Sequence, residues 1–298
     1  MDEKDFPIYN EQNASRKEKI SSRIYAILAT IVITVVGIIL ISRVVFYSMY
    51  SYSTILGCSM SPTINPDVYV GMKDEDGKTL DSRKVSQDGA FFRKTKNITR
   101  GDMFVLEVPN LNDDGKTGMV IKRAIATEGD KVTIRKYDGL YKVAIIKAGT
   151  QEIEILDEEY ITSQVRWDWT FLRYNNQAPV HYNGADYEGS FYSLYIGGSY
   201  GTQVDRLTTV HDSRYGDTVF FNVQEGEIFY LGDNRVYSAD SRDPEKGLGK
   251  VKDVRGVVEV VIHGELNKPD SVNMWWKKVC AAFSHIFGKI SDFFAWNS

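Results

Sequence analysis

Ser59 and Lys122 are the two residues whose types and settings together suit covalent catalysis. Ser59 lies in Gly57-Cys58-Ser59-Met60-Ser61-Pro62-Thr63-Ile64, where a glycine before it and a proline soon after fix an exposed turn. Most loop serines do no chemistry, so this turn offers a hydroxyl and nothing more. Lys122 lies in Val120-Ile121-Lys122-Arg123-Ala124-Ile125, where it interrupts an apolar strand. Strand alternation puts its side chain on one face with Val120 and Ala124. A lysine directed into apolar surroundings is costly unless it is neutral or paired, and burial lowers its pKa. So lowered, its amine can take a proton near neutral pH, which is what a serine nucleophile requires. The plainer reading is an edge lysine that snorkels to water.

A third segment, Gly232-Asp233-Asn234-Arg235-Val236-Tyr237-Ser238-Ala239-Asp240-Ser241-Arg242, follows the apolar run Ile228 to Leu231. It is dense in hydrogen-bonding side chains of both charges, a mixture that a solvated turn would not need. The four histidines, His181, His211, His263 and His285, are far apart and show no zinc-type spacing, so neither metal nor cofactor is expected. Two cysteines, Cys58 and Cys280, are too few for a disulfide framework.

These segments need elements to position them. From Ile24 to Ser42 no residue is charged and most are aliphatic. At ~1.5 Å per residue a helix of that length approaches the ~30 Å of a bilayer core. No Ala-x-Ala follows the run, so a retained transmembrane anchor over 24–42 is expected in preference to a cleaved leader. Arg16, Lys17, Lys19 and Arg23 precede it, which predicts a cytoplasmic segment 1–23 and an extracytoplasmic remainder. Tyr47, Tyr50 and Tyr52 suit an interfacial aromatic belt.

Beyond the anchor the pattern is β. Short Val-, Ile- and Phe-rich runs recur between turn residues at Val68 to Met72, Met103 to Val108, Met119 to Ile125, Lys131 to Arg135, Thr218 to Val223, Ile228 to Leu231 and Val257 to Ile262. Asp138-Gly139 predicts a hairpin. Residues 73–98 are polar and read as an exposed loop or a small excursion. A β core over 48–136 and 216–266 is expected, with 137–215, rich in Tyr, Gly and Asn, as an inserted cap region. Over 272–298, Trp275, Trp276, Val279, Phe283, Ile286, Phe287, Ile290 and Phe294 fall at helical spacing, predicting an amphipathic helix packed on the domain or lying at a membrane surface.

The three segments, in this order and behind such an anchor, resemble type I signal peptidases. Gly57 to Thr63 is similar to that family's nucleophile box. Lys122-Arg123 with Gly129-Asp130 is similar to its lysine box, and Gly232 to Arg242 to its Gly-Asp-Asn-Arg and Ser-x-Asp-Ser-Arg box. Arg100-Gly101-Asp102 fits as well. The likeness covers about 20 to 135 and 217 to 262. It departs at Thr127-Glu128, where the family has Leu-Pro, and at Gly57, where some members carry a serine.

The resemblance implies a mainly β fold of antiparallel sheets of the signal peptidase type. It also implies an enzyme that removes signal peptides from exported precursors, cutting after small residues at the plasma membrane. Ser59 would attack and a neutral Lys122 would serve as base. Ser238 would orient the Lys122 amine, and Asp240 with Arg242 would support the last box. Ser59 and Gly57 would supply the oxyanion hole. Val120, Ile121 and Met60 would line shallow apolar pockets for an extended substrate. The expected partners are signal peptides and the lipid bilayer.

Net charge is −4, without the basic face that nucleic acid requires, so no nucleic-acid partner is expected. Two other functions fit parts of the pattern. A self-cleaving repressor would use the same pair of residues but would need a DNA-binding module. A catalytically silent scaffold or chaperone-like relative would keep the groove and bind extended chains, yet would have no use for both Ser59 and Lys122.

Overall fold

The aliphatic run forms part of helix α1 (Glu11–Met49) in the computed structural model, which describes residues 11–74, 76–108, 117–161 and 178–264. Its segment Ile20–Met49 is long and apolar enough to cross a membrane, and nearly all of its side chains are exposed, Phe46 being buried. Hydroxyls within the run spend their hydrogen bonds on the helix itself: Thr30 and Thr34 Oγ1 donate to the carbonyls of Ala26 and Thr30. The helix is one unit of the chain, and residues from Ser51 on form another.

The second unit is built on two antiparallel sheets, in keeping with the β pattern of the sequence. The first sheet has the order β1 (Tyr50–Thr54), β2 (Gly89–Arg93), β14 (Val254–Ile262), β3 (Met103–Val108), β4 (Gly118–Ala126), β12 (Glu227–Leu231) and β13 (Gly249–Lys250). The second runs β10 (Leu207–Asp212), β11 (Gly216–Asn222), β5 (Lys131–Tyr137), β6 (Leu140–Ile146) and β7 (Ile153–Ile155). The ribbon of β8 (Val180–Tyr182) and β9 (Ala185–Tyr187) joins it at β5. Asp138 and Gly139 form the two-residue hairpin turn between β5 and β6, both at positive φ as that turn requires.

Two local expectations fail. Val68 to Met72 is not a strand: Val68 N–H donates to Asn65 O and Met72 N–H to Tyr69 O, so the chain turns twice where β propensity alone suggested extension. The stretch 73–98 is not all exposed loop. It contains β2, whose Ala90, Phe91 and Phe92 are buried between β1 and β14. Tyr52 packs its ring on Phe91, with centroids 5.0 Å apart.

The segment 137–215 supplies β6 to β10, so it shares one sheet with β5 and β11 on either side of it. A short helical stretch, Gly189–Ile196, places Phe191 and Tyr195 against Phe229 of β12 and Phe221 of β11. One core therefore joins the ends of β4 and β12 to the second sheet: Ile125, Ala126, Val132, Ile134, Tyr187, Phe191, Tyr195, Phe221, Phe229 and Leu231. The helix expected at 272–298 lies outside the described residues.

Candidate active site

Ser59 and Lys122, separated by 63 residues of sequence, meet in space. Lys122 Nζ donates to Ser59 Oγ at 2.8 Å. The strand frame explains the approach. Lys122 lies opposite Phe104 in the β3–β4 register, with Ile121 opposite Val105. Phe104 and Ala124 on the same face are fully buried, and Lys122 itself is 3% exposed. Burial lowers the amine from its ordinary 10.5 to about 8, while the charges of Asp240 and Asp233 hold it from falling further. Among the described residues no carboxylate reaches Lys122 within bonding distance; its hydrogen bond goes to the serine hydroxyl.

The backbone of Ser59 is fixed from two sides. On one, Asn234 N–H donates to Ser59 O at 3.1 Å and Asn234 Nδ2 donates to Cys58 O at 3.1 Å. On the other, buried Asn65 donates through Nδ2 to the carbonyls of Gly57 (2.8 Å) and Ile55 (3.0 Å), and its Oδ1 accepts from Asp88 N–H. Gly57 has φ +85°, which a glycine adopts without strain. Gly232 is required for a different reason. A Cβ there would come within 2.1 Å of Ser238 Oγ and 2.4 Å of Ser59 O, so only glycine lets the last box lie against the serine.

Three ion pairs with little or no solvent exposure hold that box. Asp240 takes two hydrogen bonds from Arg242, Nε at 2.9 Å and Nη2 at 2.8 Å, and its Oδ2 accepts Gly232 N–H at 3.1 Å. Arg242 thereby keeps Asp240 below the usual carboxylate range against the upward push of burial. Asp233 accepts from Arg123 at 2.8 and 2.6 Å and from Thr63 Oγ1 at 2.5 Å, so the residue after the lysine is bound to the last box and to the nucleophile turn together. Arg235 is paired with Glu158 at 2.8 and 2.5 Å.

The residues picked from sequence are thus distributed as follows. Ser59 and Lys122 touch; Asp240 and Arg242 pair beneath Gly232. Ser238 Oγ is buried against Gly232 and has no hydrogen-bond partner among the described residues, so its expected bond to the Lys122 amine is not formed. Met60 is 2% exposed and packs with Ile55, Ile64 and Ile121. Val120 packs in a separate cluster with Phe104 and Leu106, on the opposite face of β4 from Ile121. Cys58 is buried beside Ser59. Sequence reading missed Asn65, Arg123, Asp233, Asn234, Arg235 and Glu158. Arg123, Asp233, Asn234 and Arg235 stand inside the recognised boxes, whereas Glu158 carries no local signal.

An antiparallel β framework thus holds a hydroxyl against a buried amine. Residues 25–263 match the family described as Signal peptidase, peptidase S26, and the chain belongs to that family. It is similar to Signal peptidase I of Rickettsia canadensis (strain McKiel), 32% identical over 48% of this chain and 44% of that protein. The match to Signal peptidase I of Rickettsia rickettsii (strain Sheila Smith) is also 32% over the same shares, and that of Rickettsia bellii (strain OSU 85-389) is 30% over 52% and 43%. The chain spans less than half the length of these curated relatives.

Proposed function

We propose that this chain is a membrane-anchored serine endopeptidase that removes signal peptides from exported precursors, with Ser59 as nucleophile and Lys122 as general base. The observation that carries the reading is the 2.8 Å contact between Ser59 Oγ and a lysine that is buried without a bonded carboxylate among the described residues. An amine near pH 8 is neutral in about a tenth of molecules at pH 7, and each neutral amine already faces the proton it must take.

In the proposed reaction Ser59 Oγ attacks the scissile carbonyl carbon while its proton passes to Lys122 Nζ. The negative charge on the carbonyl oxygen is met by the Ser59 N–H, a donor worth about 3 kcal/mol in such a site. The Gly57 N–H, also expected there from the sequence, is instead donated to Val85 O at 2.9 Å. Collapse expels the new amino terminus with the proton from Lys122 and leaves an ester on Ser59. A water then gives its proton to Lys122 and attacks the ester, freeing the leader's carboxylate and restoring the hydroxyl.

Ile121, partly exposed, offers apolar ground for small side chains of the leader; Met60, expected beside it, is buried with Ile55 and Ile64 beneath, and Val120 lies on the other face of β4. Residues 48–136 and 216–266 would be the catalytic part, 137–215 the inserted region and 24–42 the anchor. Basic residues ahead of the anchor favour an N-terminus in the cytoplasm and a catalytic part outside the plasma membrane.

The test is cleavage of a precursor whose leader ends in Ala-x-Ala by the full chain in detergent, beside Ser59→Ala and Lys122→Ala. The reading expects cutting after the last Ala by wild type and none by either folded variant. Cleavage by Ser59→Ala would overturn the assignment and move suspicion to Cys58. An inert wild type would favour the silent-scaffold alternative.

A further inference from the structure

We propose that Glu158, from the inserted region, is a positioning residue for the reaction: it holds Arg235, and through Arg235 the turn that fixes the Ser59 backbone. The proposal rests on the Ser59–Lys122 reading above. Glu158 follows β7, where the chain is tied back to the second sheet: Leu156 N–H donates to Val143 O, and Ile161 N–H closes a turn on Glu158 O. Ile161 is buried, and Leu156 packs against the large aromatic core. Glu158 therefore projects from a fixed support.

Its carboxylate takes both ends of the Arg235 guanidinium, Nη1 at 2.8 Å and Nη2 at 2.5 Å. The third guanidinium nitrogen, Nε, donates to Gly232 O at 3.0 Å. Arg235 O in turn accepts from Arg242 at 3.0 Å. The turn so gripped is the one whose Asn234 bonds Ser59 O and Cys58 O. Tyr160 adds a second tie, donating its hydroxyl to Glu158 Oε1 at 2.8 Å while its ring lies 4.0 Å from the Arg123 guanidinium. Two arginines of the site, on β4 and in the last box, are thus completed by one short stretch of the insertion.

The pair is bidentate and closed to solvent, geometry that fixes orientation as well as charge. Glu158→Gln keeps the shape and leaves the Arg235 charge short of its partner. Positioning predicts a fall in kcat of about ten- to a hundred-fold, because small misplacements of a reacting group cost that much. KM should move by less than about three-fold, since ground-state binding is not what the pair supports.

The experiment uses the full chain in detergent micelles, with precursor cleavage and amide hydrogen exchange of the segments 57–61 and 232–236 as separate readouts. Glu158→Gln should lower kcat and speed exchange in both segments, and Glu158→Asp should recover part of each. The double variant Glu158→Leu with Arg235→Met removes both charges of this pair together and should regain the thermal midpoint without regaining kcat. It also carries the test if Glu158→Gln does not fold.

A wild-type kcat in Glu158→Gln overturns the proposal. So does a double variant that recovers kcat along with its midpoint, which would make the pair merely structural. If wild type cuts no precursor, the exchange readout decides alone. Faster exchange at 57–61 keeps the positioning role while the peptidase reading falls, and unchanged exchange removes it.

Discussion

Around the Ser59–Lys122 contact the buried groups are charged, and under the second sheet they are mainly aromatic. Arg123, Arg235 and Arg242 each lie against a carboxylate of their own, Asp233, Glu158 and Asp240. Under the second sheet Phe191, Tyr195, Phe221 and Phe229 meet in stacked and edge-on pairs, centroids 4.7 to 5.8 Å apart. Ring packing of that kind stabilises through area and contact and tolerates small shifts. Buried ion pairs add little net stability, yet they are costly to break and hold one geometry. The difference teaches where the molecule needs precision. It also isolates Lys122, the one cation of the site that faces a hydroxyl instead of a carboxylate among the described residues. The carboxylates beside Arg123 and Arg235 hold those guanidiniums charged, whereas burial beside a hydroxyl eases the proton off Lys122.

Variants of equal cost in the two regions break this comparison most sharply. Asp240→Asn strands Arg242 and should cost about 3–5 kcal/mol in chemical denaturation. Phe221→Ala should cost about the same by opening the aromatic core. Only the first should move the pH dependence of cleavage. Asp240 raises the Lys122 pKa, so its loss lowers that pKa and shifts the alkaline-rising limb to lower pH. Equal shifts in both variants would make the contrast of regions empty.

A gain in stability is expected from removing the lysine. Lys122→Met should stabilise the fold by up to about 3 kcal/mol at pH 7, the cost of shifting one amine from 10.5 to about 8. The sign follows from proton counts. Between about 8 and 10.5 the unfolded lysine keeps a proton that the folded one has lost, so wild-type stability rises with pH there. The advantage of Lys122→Met is full below pH 8 and fades toward 10.5. Denaturation curves of both proteins across that range check it, and a pH-independent difference would deny that the amine is neutral in the fold.

The smallest effect belongs to Tyr160→Phe. It removes one hydrogen bond to Glu158 and leaves the ring under Arg123, so the thermal midpoint should fall by the equivalent of about 1 kcal/mol. A loss as large as that of Asp240→Asn would mean that the hydroxyl, and not the carboxylate pair, governs the turn.

Much of this was legible in the chain. The strands at Met103 to Val108 and Lys131 to Arg135 and the Asp138-Gly139 hairpin follow from alternation and turn chemistry, and the helix from an uncharged aliphatic run. The meeting of Ser59 and Lys122 was expected from motif order and is present in the geometry. β2 stayed hidden because its Gly-Ala-Phe-Phe core is short and sits among lysines and aspartates that dominate any window around it. Glu158 stayed hidden for a deeper reason: its value lies in Arg235, 77 residues away, and nothing in its own neighbourhood marks it. Ser238 shows the converse. Its motif is plain, yet the rotation of its hydroxyl depends on packing against Gly232 that no motif encodes.

The central claim is that Lys122 is a neutral base acting on Ser59, and the pH dependence of kcat/KM for an Ala-x-Ala precursor tests it most directly. The account predicts a rate that rises with pH through a single ionisation at about 8 and then levels, with Ser59→Ala and Lys122→Ala folded and inactive across the range. A limb centred near the ordinary lysine value of 10.5, or cleavage that survives Lys122→Ala with an unchanged profile, would contradict it.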